Sequence, residues 1–83
     1  MNYDENWGIA FARVDEFFAS QRDVERIGGR SFVFGNAHIE LMELPEKRIA
    51  SLRMARTRVI ITGEADADEI YRRFYYRFLS AGG

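Results

Sequence analysis

The stretch 66–83, DADEIYRRFYYRFLSAGG, limits the fold more than any other part of the chain. It reads as a helix whose apolar face is too wide for a surface position. At about 100° per residue, Ile70, Phe74, Phe78, Tyr71, Tyr75 and Leu79 fall in order across roughly half the wheel. Arg72, Tyr76, Arg73 and Arg77 occupy the rest. An ordinary surface helix buries a stripe of about 100°. Such a helix must either dock deeply between other elements or keep apolar surface for a partner. Asp66 with Glu69 three residues on has capping-box spacing. Glu64, Asp66, Asp68 and Glu69 suit the positive end of the helix dipole, and Gly82 is the expected stop.

Residues 3–20 read as a first helix. Tyr3, Trp7, Ala10, Phe11, Val14, Phe17 and Phe18 gather on one side at helical spacing, and Asn2 with Glu5 offers a start signal. The competing reading makes 8–14 a strand, since Ile9 and Phe11 alternate, but it leaves Phe17 and Phe18 unexplained. Residues 24–44 read as strands separated by Gly28-Gly29 and Gly35-Asn36, both suited to two-residue hairpin turns. Pro45 presets a turn over 44–47. Residues 48–55 stay open between strand and helix: Ala50, Leu52 and Met54 alternate, while Pro45 equally suits a first helical position. Residues 58–62 form a β-branched strand ended by Gly63.

The expected fold is therefore α+β: an N-terminal helix, a three- to four-stranded antiparallel sheet and a C-terminal helix, packed as a two-layer sandwich. The 83 residues suit one domain. The predicted core is Trp7, Phe11, Val14, Phe18, Phe32, Phe34, Ile39, Leu41, Leu52, Val59, Ile61, Ile70, Phe74 and Phe78. A domain this small is marginal by default, and aromatic burial and dimerisation are the expected remedies.

The chain has no cysteine, which excludes disulfides and thiolate chemistry. A small secreted domain usually needs disulfides, so a cytoplasmic setting is expected. No apolar run is long enough for a membrane span, and no signal peptide is visible. Net charge is −1, but unevenly placed. Residues 1–44 hold eight acids and four arginines, whereas 45–83 hold eight basic and five acidic residues. That balance argues against non-specific nucleic-acid binding and leaves room for a local basic face.

Few residues suggest chemistry. His38 is the only histidine, and on a strand it shares a face with Glu40. One imidazole and one carboxylate fall short of a zinc site. The acids at 64–69 lack the spacing of a calcium loop. No Gly-rich stretch leads into a helix as phosphate sites require, and no nucleophile elbow occurs. Phe32 and Phe34 alternate on a strand that differs from the aromatic strand of an RNA-recognition motif at both glycine positions, so they read as core. No enzyme activity, metal or cofactor is expected.

The expected function is a small protein-interaction module that is homodimeric or binds another protein. Arg72, Arg73, Tyr75, Tyr76, Arg77 and Leu79 are the candidate partner-binding residues, and Arg53, Arg56 and Arg58 a candidate anion site. The alternative is nucleic-acid binding through the arginines, with Tyr76 stacking on a base. A minor alternative is a carrier that uses the terminal Gly82-Gly83 as a diglycine tail.

Overall fold

Tyr3 and Trp7 are four residues apart, a spacing that puts two side chains on one side of either a helix or a strand. A computed structural model, which describes residues 2–79, resolves the ambiguity in favour of the strand. The expected helix over 3–20 is divided into strand β1 (Tyr3–Trp7) and helix α1 (Phe11–Ser20). The division falls at Gly8, and α1 begins from Ala10 without a side-chain cap. Neither Asn2 nor Glu5 caps a helix: the Asn2 amide oxygen accepts from the Gly63 N–H, and the Glu5 carboxylate accepts from Trp7 and Tyr71.

The remaining elements are β2 (Glu25–Arg26), β3 (Ser31–Phe34), β4 (Ala37–Ile49), β5 (Leu52–Thr62) and α2 (Ala65–Phe78). The sheet has five strands, not three or four, in the order β1-β5-β4-β3-β2, every pair antiparallel. The extra strand is β1, hidden by its helix-compatible spacing. Both helices pack on one face of the sheet, where Phe18 meets Phe32, Trp7 meets Phe74, and Phe17 contacts Phe74 and Phe78. The fold is α+β in two layers.

Gly35 and Asn36 form the two-residue turn between Phe34 and Ala37. Gly35 has φ +58, and an added Cβ would collide with the Asp66 carboxylate. That carboxylate accepts the Asn36 N–H at 2.9 Å, so the start of α2 is tied to the β3–β4 turn. The expected capping box is thereby replaced: α2 has Glu64 at its N-cap with no side-chain cap bond, and Glu69 pairs with Arg72 and Arg73. Gly28-Gly29 lies in a wider loop over 27–30. The helix stop assigned to Gly82 lies outside the described residues, as does the Gly82-Gly83 tail.

The expected turn over 44–47 is instead a bulge within one long strand. Pairing passes from Leu44↔Arg56 to Lys47↔Met54, so β4 carries one residue more than β5 across the step. A bulge is one of the few places a sheet accepts proline, which lacks the N–H for the ladder. Residues 48–55 are therefore strand and turn, not helix. The true turn is Ala50-Ser51, closed by Ile49↔Leu52, and Ala50 has φ 56.

The core is Ile9, Val14, Phe18, Phe32, Ala37, Ile39, Leu41, Val59, Ile61, Ala67, Ile70, Phe74 and Phe78. Trp7, Phe11 and Phe34 are half-buried at its margin. Leu52, expected inside, is 66% exposed, because alternation along β5 puts it on the face of the sheet away from the helices, on a stretch where β4 and β5 also run on past them. The molecule accordingly measures 42 × 24 × 20 Å. Thr57 sits at the last covered position, fully buried, with its hydroxyl donating to the Ile9 carbonyl at 2.7 Å.

Candidate functional site

The residues singled out in the sequence fall in three separate places. On α2, Arg73 is committed to the fold. Its guanidinium donates to Asp23 at 2.9 and 3.1 Å and to Glu69 at 3.1 Å, and lies 4.8 Å from the Phe34 ring centroid. The Asp23 carboxyl is held below its ordinary pKa, chiefly by that hydrogen bond. Arg72 pairs with Glu69 at 3.2 Å, and Arg77 lies over the Phe78 ring at 5.0 Å. Leu79 and Tyr76 are exposed, and Tyr75 packs edge-on against Trp7 at 5.9 Å.

Arg58 and Arg56 lie on the face of the sheet that carries no helix. Arg58 is bidentate to Asp4 at 2.8 and 2.6 Å, which lowers the Asp4 pKa. Arg56 donates from Nε and Nη2 to the Pro45 carbonyl, each at 3.4 Å, across the bulge. Alternation along β5 puts Arg53 on the opposite face, directly across from Arg48. Neither Arg48 nor Arg53 has an ion-pair partner among the described residues. The nine candidates do not form one continuous anion site.

Two groupings emerge in their place. The first is a pocket of about 190 Å³ lined by Tyr3, Asp68, Tyr71, Arg72, Tyr75 and Tyr76. The helical period gathers Asp68, Tyr71, Arg72, Tyr75 and Tyr76 on one side of α2, and β1 supplies Tyr3. The Tyr3 and Tyr71 rings stack 3.9 Å apart and nearly parallel, and Tyr75 stands at 5.9 Å from Tyr71 and 6.0 Å from Tyr76. The Tyr3 hydroxyl donates to Asp68 at 2.6 Å, and that bond is the main reason its pKa is raised. Burial, then the Glu5 carboxylate, pushes the Tyr71 phenol well above its ordinary value. Tyr71 donates to Glu5 at 2.9 Å. Sequence reading missed Tyr3, Asp68 and Tyr71 as pocket residues, because the pocket depends on pairing β1 with β5.

The second grouping is the uncovered end of the β4–β5 hairpin, here called the arm, over residues 44–56. One face carries Leu44 with Arg56, Lys47 with Met54, and Ile49 with Leu52 as facing pairs; the other carries Arg48 with Arg53. Ile49 and Met54 are 51% and 43% exposed. Like charges directly opposite one another on a two-stranded ribbon are destabilising. The alternation of Ala50, Leu52 and Met54 within 48–55 was the signal for this element, and Lys47, assigned to the 44–47 turn, was its unrecognised member.

His38 Nε2 stands 4.0 Å from Glu40 Oε1 on the open face, and Ser31 donates to Glu40 at 3.0 Å. Among the described residues no cluster of His, Asp or Glu is placed to hold a metal ion. No helix among them is long and apolar enough to cross a membrane. Compared with known proteins, the chain matches no family model and no curated sequence.

Proposed function

We propose that the protein is a non-enzymatic protein-interaction module that works as a homodimer, with the β4–β5 arm as its contact element. One observation carries the reading: Ile49, Leu52 and Met54 are exposed together on a two-stranded ribbon that projects beyond the helices. A lone two-stranded hairpin is marginal in water, and clustered apolar side chains outside a core mark an interaction surface. The wide apolar face of α2 is not the support it looked to be from sequence. Tyr3 and Trp7 of β1 cover much of it, leaving Leu79 and Tyr75 as its most exposed members.

Light scattering across a gel-filtration peak at tens of micromolar protein tests the reading. A dimer that weakens on Leu52→Asp supports it, and a strict monomer overturns it. The nucleic-acid alternative moves from α2, where Arg72 and Arg73 are paired, to the Arg48–Arg53 pair of the arm. A two-stranded ribbon of this kind has the dimensions of the DNA major groove. That alternative predicts affinity falling steeply with salt as counterions are released.

A further inference from the structure

We infer that Arg48 and Arg53 on the arm of one copy dock in the tyrosine pocket of a second copy, reciprocally about a two-fold axis. This rests on the homodimer proposed above and adds a contact from the face of the arm opposite to Ile49, Leu52 and Met54. The pocket has the chemistry of a guanidinium receptor. Tyr71, Tyr75 and Tyr76 offer ring faces and edges, and a cation over an aromatic ring is attracted by its quadrupole. Asp68 accepts only the Tyr3 hydroxyl and has no cation partner among the described residues. A carboxylate has about four lone-pair sites, so capacity remains. Glu5, beside the pocket, accepts from Trp7 and Tyr71 and likewise has no cation partner among those residues. The one cation in the lining, Arg72, is met by Glu69. Arginine fits such a place better than lysine, because its planar group both stacks and forks onto a carboxylate.

The arm supplies matching groups. Arg48 and Arg53 face each other without a carboxylate, and a carboxylate-lined pocket would relieve their repulsion. Residues 44–56 carry Lys47, Arg48, Arg53 and Arg56 against Glu46 alone, on a chain whose net charge is −1. The arm is therefore cationic and the remainder of the chain anionic, which favours a second copy over a polyanion as occupant. One arm cannot fill its own pocket by folding back along the strand. Tyr3 pairs with Ile61, eight residues along β5 from Arg53, or about 27 Å at the usual rise. Residues of the Arg48–Arg53 pair and the pocket lie on the same, helix-bearing side of the sheet and are separated along its length. Two copies related by a two-fold axis can then exchange both contacts at once.

The absence of cysteine in the chain allows a direct test. Arg53→Cys and Tyr76→Cys, both at exposed positions, are made singly and together and oxidised mildly. A disulfide-linked dimer from the double variant, with none from either single variant, is the expected result. Asp68→Asn keeps an oxygen for the Tyr3 hydroxyl while removing the charge; it is expected to raise the dimer Kd about tenfold, as is the pair Arg48→Glu with Arg53→Glu. A dimeric wild type in which the double variant does not cross-link and Asp68→Asn leaves Kd unchanged overturns the arm-in-pocket contact alone. Cross-linking of a single variant also overturns it, in favour of tip-to-tip or pocket-to-pocket contact. A monomeric wild type overturns the functional reading itself. If the double Glu variant abolishes binding of a single-stranded oligonucleotide at low salt while dimerisation is unchanged, the arm belongs to nucleic acid and the inference fails.

Discussion

The two ends of the β4–β5 hairpin obey the same alternation yet reach opposite states. At the covered end, Ile39, Leu41, Val59 and Ile61 are fully or almost fully buried beneath the helices. At the arm, Ile49, Leu52 and Met54 are exposed on an equally regular ladder. Backbone pairing is continuous across both, apart from the bulge at Pro45 and Glu46. What differs is the face: the first four point toward the helices, whereas Ile49, Leu52 and Met54 share the helix-free face with Arg56, the bulge having shifted the alternation of β4 by one residue. Strand pattern specifies which side chains share a face, and the helices decide which of the two faces becomes core.

Substitutions at the two ends should separate these roles. The largest effect is expected at Phe74, which packs on Trp7, Phe17, Phe18 and Phe78. Phe74→Ala should cost about 3–5 kcal/mol by urea unfolding. Leu52→Ala should change the stability of the monomer by less than about 0.5 kcal/mol. Equal costs at the two sites would break the contrast. At the boundary, Thr57→Val should cost about 1–3 kcal/mol, because the Ile9 carbonyl loses its buried donor.

An alkaline titration sharpens the contrast further. Tyr71 is protonated in the folded protein over a wider range than in the unfolded chain, since burial and Glu5 raise its pKa from 10.0. Its contribution is complete below pH 10 and should decline as pH rises above it, when the unfolded phenol ionises first. Chemical denaturation of the wild type and Tyr71→Phe between pH 9 and pH 11 should show the shallower loss in the variant. The one stabilising change belongs to the arm turn. Ala50 holds a positive φ that glycine adopts without strain. Ala50→Gly should raise the thermal midpoint by the equivalent of up to about 1 kcal/mol.

Much of the core was legible from periodicity. Val14 and Phe18 on α1, Ile70, Phe74 and Phe78 on α2, and the alternating Phe32, Ile39, Leu41, Val59 and Ile61 are all buried as their spacing requires. The turn at Gly35-Asn36 was equally plain, since two alternating runs flank residues that accept unusual backbone angles. The candidate site was much less legible. Tyr75 and Leu79, expected at the edge of the apolar arc of α2, are both exposed, and Tyr76, expected among the arginines, is more exposed still. Arg58 and Arg73 were selected for their charge, but each is held by a carboxylate from a distant segment, Asp4 and Asp23.

The sequence by itself determined the periodic elements, the sides they bury and the antiparallel hairpins, because those follow from local geometry and short-range turns. Tertiary structure decided the identity of 3–7 as a strand, since a spacing of four fits either period and only pairing with β5 selects one. It also decided which arginines are neutralised, how Tyr3 and Asp68 meet, and where the helical layer stops. Those outcomes depend on residues up to 65 positions apart, as between Tyr3 and Asp68, and no local pattern encodes such a meeting.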